Sequence, residues 1–100
     1  MSIKIGNYNF DGPHGQTNNL LPHSGVYVIL GKTGGTTWSV VDVGESGNVR
    51  ERIDNHDRAG CWKRHGHREL TAAVLYVPER DRMLIEREIR NSYTPPCGDR

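Results

Sequence analysis

Val41-Asp42-Val43-Gly44-Glu45-Ser46-Gly47-Asn48-Val49-Arg50-Glu51-Arg52-Ile53-Asp54-Asn55-His56 is the stretch whose reading decides the fold. It begins as a β-branched run suited to a buried strand and turns sharply at Gly44. It then enters a helix through Ser46, with Asp and Asn within reach as alternative caps. Inside the helix Val49 and Ile53 are four apart and share a face that can point at a core. Arg52 and His56, also four apart, lie beside that apolar stripe. An arginine and a histidine are thereby aimed at the end of a strand. Charged residues on helices are usually solvated, so the pair gains meaning only from its surroundings.

Upstream, Gly25-Val26-Tyr27-Val28-Ile29-Leu30 is a clear strand, mostly apolar and β-branched. Gly31-Lys32-Thr33-Gly34-Gly35-Thr36 is a turn, which returns residues 37–43 as the partner strand of a hairpin. Downstream, the helix is expected to run to about Asp57 and to stop at Gly60, with a basic loop after it. Residues 70–77 read as a third strand. Pro78 closes that strand, and Glu79 and Asp81 suit the first turn of a second helix. Ile85 and Ile89 mark that helix's buried face, with Glu86 at its border. On its own, Glu86 reads as half of an i,i+4 ion pair with Arg82 or Arg90. The helix should end before Pro95.

Residues 1–23 read as an N-terminal extension carrying one edge strand over residues 2–10, and residues 24–100 as the domain. The expected fold is α+β in a sandwich-like form: a small, mainly antiparallel three-stranded sheet flanked by helices.

One hundred residues make one small domain. No apolar run approaches the roughly 20 residues that span a membrane, and the start has neither the apolar core nor the cleavage signal of a secreted protein. Both absences point to the cytoplasm and to no membrane partner. Two cysteines, Cys61 and Cys97, are too few for a disulfide scaffold. A zinc site around Cys61 with His56, His65 and His67 can be drawn, but its spacing matches no common zinc module.

Net charge is +1, yet 11 of the 13 basic residues lie from Arg50 onward. Residues 58–68 hold four of them, Arg58, Lys63, Arg64 and Arg68, with two histidines, Trp62 and no acid. Basic residues interleaved with an aromatic suit a phosphate backbone with a ring for stacking.

The ordered set resembles the GIY-YIG nuclease superfamily. Gly25-Val26-Tyr27 stands where that family has its first motif and Asp42-Val43-Gly44 where it has its second. Arg52 matches its helical arginine, His56 the histidine one turn later, and Glu86 its metal-binding glutamate. Tyr93-Thr94-Pro95-Pro96 resembles the aromatic and proline stretch that follows. The likeness covers about three-quarters of the chain. Two positions depart from it: the second motif's tyrosine is Asp42, and the asparagine that often ends the core is Gly98.

The resemblance implies a Mg²⁺- or Mn²⁺-dependent endonuclease hydrolysing phosphodiester bonds in DNA. Glu86 would bind the metal, Arg52 would stabilise the phosphorane, and Tyr27 or His56 would position or deprotonate the water. Asp42 is a second metal ligand, a supporting base or the mark of a lost activity. The alternative is a catalytically inactive nucleic-acid-binding module that keeps the fold. With no separate DNA-reading element of the helix-turn-helix or zinc-finger kind, targeting would fall to DNA structure, a homodimer or a partner protein.

Overall fold

The computed structural model describes residues 1–32, 35–65 and 69–98. The chain runs β1 (Ser2–Ile5), β2 (Tyr8–His14), a 3-10 turn at Thr17–Asn19, β3 (Gly25–Lys32), β4 (Trp38–Ser46), α1 (Val49–Asp54), α2 (Ala59–His65), β5 (Glu69–Tyr76) and α3 (Glu79–Tyr93). The strands form one antiparallel sheet in the order β1-β2-β5-β3-β4. Its centre is β3, which pairs on both sides and is buried from Gly25 to Gly31. Such burial on both faces is why its sequence is continuously apolar rather than alternating.

The fold is α+β as expected, but the sheet has five strands, not three. The extension contributes two of them. Residues 2–14 fold as a hairpin about Gly6-Asn7, and β2 joins β5 through Asp11 opposite Val74. Ile5 and Phe10 enter the core by this route.

Helices cover both faces. On one, Tyr27, Ile29 and Val41 pack with Val49 and Ile53 of α1 and Trp62 of α2. On the other, Val26, Val28 and Val43 pack with Ile85 and Ile89 of α3. Simple alternation along β4 would put Val41 and Val43 on one face, yet they sit on opposite ones. Ile29 faces Asp42 while Leu30 faces Val40, so β4 carries an extra residue. A bulge of this kind re-aims the side chains that follow it.

The connection after β4 also differs from expectation. Asn48 caps α1, its side chain accepting from the Glu51 N–H at 3.1 Å. Helix α1 stops at Asp54 rather than Asp57. Gly60 lies inside α2, so the basic stretch is helical from Ala59 to His65. Among the described residues no helix is long and apolar enough to cross a membrane.

After α3, Thr94 turns into the left-handed region (φ 44°) ahead of Pro95. The tail then runs beside β4, where the Cys97 N–H donates to the Val41 carbonyl at 3.0 Å. Cys97 is disulfide-bonded to Cys61 of α2. The bond ties the tail of the helix on one face to a helix on the other. Two cysteines therefore do staple this domain: closing a 36-residue separation contributes about 3–4 kcal/mol by loop entropy.

Candidate functional site

Tyr27 of β3 lies opposite Gly44 of β4. A Cβ on Gly44 would overlap the tyrosine's hydroxyl and ring. The missing side chain is therefore what lets the phenol lie across the neighbouring strand. Its hydroxyl meets His56 Nε2 at 2.6 Å.

His56 sits in the turn between α1 and α2. Its Nδ1 accepts from the Arg58 backbone N–H at 3.0 Å. In the neutral ring the proton therefore lies on Nε2, which donates to the Tyr27 oxygen. Burial, reinforced by the charges of Arg52 and Arg58, pushes the His56 pKa down to about 4. The ring is neutral at pH 7, and both of its nitrogens are engaged. Burial also raises the Tyr27 pKa to about 12, although Arg52 pulls it the other way.

Arg52 completes the trio. It projects from α1 beside the buried Val49 and Ile53, close enough to bear on both Tyr27 and His56. Its Nη2 donates to Asp57 Oδ1 at 2.9 Å. With side-chain exposures of 39% for Arg52 and 72% for Asp57, the pair is a solvent-facing one. Tyr27, Arg52 and His56 are thus gathered from a strand, a helix and a turn.

Asp42 is placed beside the trio but engaged elsewhere. It is fully buried. Its Oδ2 accepts from Arg58 Nε at 2.8 Å and from Trp62 Nε1 at 2.7 Å. Its Oδ1 accepts from Arg90 Nη2 at 2.7 Å, from Arg58 Nη2 at 3.2 Å and from the Val43 N–H at 2.8 Å. Burial alone would raise its pKa, but hydrogen bonds from Arg58, Trp62 and Arg90 outweigh that and hold it below the usual carboxylate value. With both oxygens so occupied, Asp42 neither orients His56 nor offers a ready metal ligand. Its counter-charges are Arg58 and Arg90, not Arg52 or a protonated His56.

Arg90 is the residue that sequence reasoning missed. It appeared only as one of two possible ion-pair partners for Glu86, yet it is 4% exposed. It donates to Glu86 Oε2 at 3.0 Å, to the Cys97 carbonyl at 3.1 Å, to Asp42 and to the Val43 carbonyl. The available signal was Asp42 itself, since a carboxylate inside a β-branched run must find a cation. Gly98 is packed against this arginine. A Cβ there would collide with the guanidinium, and its φ of 92° favours glycine.

Glu86 is half-buried on α3, on the sheet face opposite α1 and α2. Arg90 links it to Asp42, not to Tyr27, Arg52 or His56. A carboxylate offers about four lone-pair positions, so a pairing with Arg90 is compatible with ligation of a hard divalent ion. Among the described residues Glu86 belongs to no cluster of three potential metal ligands; its carboxylate by itself offers the oxygen chemistry that Mg²⁺ or Mn²⁺ prefers.

The expected nucleic-acid residues divide. Trp62 is buried and donates to Asp42, so its ring is not the stacking platform the sequence suggested. Arg58 is committed to the same carboxylate. Lys63 and Arg64 are exposed on α2. Arg68 lies outside the described residues.

In comparisons with known proteins, no family model matches the chain, and neither does any curated protein or solved structure.

Proposed function

We propose that this chain is a GIY-YIG-like, divalent-metal-dependent endonuclease acting on DNA. The observation that carries the reading is the Tyr27 hydroxyl, held by His56 at 2.6 Å over Gly44 with Arg52 beside it. Tyr27 and His56 also pack in the core beside Trp62, with the Arg52 guanidinium at its solvent edge. Phosphodiester hydrolysis uses such a set of phenol, imidazole and guanidinium.

Water attacks phosphorus, a new P–O bond forms, the bond to the leaving oxygen breaks, and the proton the water gives up passes through solvent to that leaving oxygen. Arg52 presents a planar fork to a phosphoryl oxygen as charge develops there. Its existing partner is no obstacle, since an exposed ion pair is worth only about 0–1 kcal/mol and a phosphate can replace Asp57. His56 fixes the phenol by donating from Nε2, which leaves the Tyr27 O–H to orient the attacking water. This arrangement favours Tyr27 over His56 as the group that meets the water. Glu86 would hold Mg²⁺ or Mn²⁺, which when bound supplies positive charge at the phosphate.

The second reading is a nucleic-acid-binding module that keeps this fold without cutting. It is favoured by the burial of Tyr27, only 1% exposed, and by the engagement of Asp42 within the core. Lys63 and Arg64 on α2 serve either reading as phosphate contacts. A nicking assay on supercoiled DNA separates the two. Cleavage in Mg²⁺ or Mn²⁺ that stops in EDTA supports the nuclease. A protein that shifts DNA yet never cuts under any metal is the binding module.

A further inference from the structure

The cysteine pair does more than close a loop. His65 lies four residues after Cys61, at the end of α2, and i,i+4 spacing puts the two side chains on one helix face. Cys97 comes from the tail after α3. One ligand atom each from Cys61, His65 and Cys97 lie within 4.8 Å of one another. The sequence could not show this, because the spacing around Cys61 fits no zinc module and Cys97 is 36 residues away.

We infer that Cys61, Cys97 and His65 form a zinc site when the disulfide is reduced. Zinc takes thiolates at about 2.3 Å and imidazole at about 2.0–2.1 Å in a tetrahedron. Its ligand atoms then stand about 3.5–3.8 Å apart, within the span of this group. Two sulfurs and one imidazole leave a fourth position open to water, and exposed His65 provides a route in. Thiolates also separate this site from the oxygen-only preference of Mg²⁺, so the two metals would not compete for it.

The conversion balances. A dithiol gives up two electrons and two protons and leaves as its own disulfide, while Cys61 and Cys97 become thiols. Zinc then displaces the two thiol protons. Oxidising compartments keep such bonds closed and reducing ones open them. Either state joins the tail of α3 to α2, and so keeps Arg90, Arg58 and Trp62 around Asp42.

The test uses the full chain and no nucleic acid, so its outcome is independent of the nuclease reading. The protein is reduced with a trialkylphosphine, desalted without oxygen and titrated with Co²⁺. The expected result is one ion per chain with a thiolate-to-cobalt charge-transfer band, bleached by one equivalent of Zn²⁺. The oxidised chain should show no such band. His65→Ala, at an exposed position, should weaken Co²⁺ binding by at least the roughly 10–100-fold that loss of a ligand's supporting partner costs. A reduced chain that binds no Co²⁺ through sulfur overturns the site, whether or not it stays folded. Unchanged affinity in His65→Ala overturns it as a three-ligand site.

Discussion

Arg52 and Asp57 stand 2.9 Å apart, and Arg90 and Asp42 stand 2.7 Å apart. The geometry is nearly the same, but the consequences differ. The first pair is bathed in solvent, is worth about 0–1 kcal/mol, and can be exchanged for another anion. The second is almost wholly buried. Its members left water at high cost and persist because Trp62, Arg58, Glu86 and two carbonyls satisfy the remaining donors and acceptors. The arginine available for chemistry is therefore the one whose partner is weakly held. The arginine that looks strongest holds the fold.

That contrast can be broken or sharpened by mutation. The largest effect should come from Asp42→Ala, which leaves Arg90 buried without its main counter-charge. Breaking such a pair from one side costs about 3–5 kcal/mol, so denaturant unfolding should show a domain near the edge of stability.

Acid should act next. His56 titrates near 6.5 unfolded and about 4 folded. Between those values the unfolded chain takes up the proton first, so stability falls as pH drops from about 6.5 towards 4. The loss is on the order of 1–3 kcal/mol. Asp42, held below the ordinary aspartate value, adds a further loss only once the pH falls below about 3.9. Thermal midpoints measured against pH should show the upper limb, and His56→Gln should flatten it.

Gly44→Ala pushes a methyl into the Tyr27 ring. Overpacking of this kind costs about 1–3 kcal/mol, and the Tyr27–His56 hydrogen bond should be lost with it. Cleavage should fall further than the stability change explains.

Lys63→Ala should be nearly silent in stability, within about 0.5 kcal/mol. It should lower the salt slope of DNA binding by about one. An unchanged slope would return α2 to an ordinary solvated surface.

Much of this was legible in the chain, for identifiable reasons. Strands β3, β4 and β5 and helix α3 announce themselves because their periodicity agrees with their turns and prolines. The β1–β2 hairpin was hidden because its apolar residues are few and its Gly6-Asn7 turn sits within nine residues of the N-terminus. Helix α2 was hidden by Gly60, whose helix-breaking tendency is a weak prior. Trp62 bonded to Asp42 and the Cys61 disulfide override it. Spacing aimed Arg52 and His56 at the end of a strand, while Tyr27 joined them only through the resemblance to the nuclease family. The occupation of Asp42 could not, because Arg90 lies 48 residues away and a bulge in β4 decides where the neighbouring side chains point. The tautomer of His56 depends on one backbone N–H, which no side-chain pattern reports.

The central claim is that Arg52 serves the reaction while Arg90 and Arg58, held on Asp42, serve the fold. Arg52→Ala tests it in a single preparation, with DNA nicking in Mg²⁺ and the thermal midpoint measured side by side. Removing one transition-state donor typically costs about 10²–10³ in rate, so cleavage should fall by that factor while the midpoint stays within a degree or two of wild type, the shift expected for a pair worth about 0–1 kcal/mol. Near-normal cutting by Arg52→Ala, or a rate loss that merely follows a collapse in stability, would contradict the account.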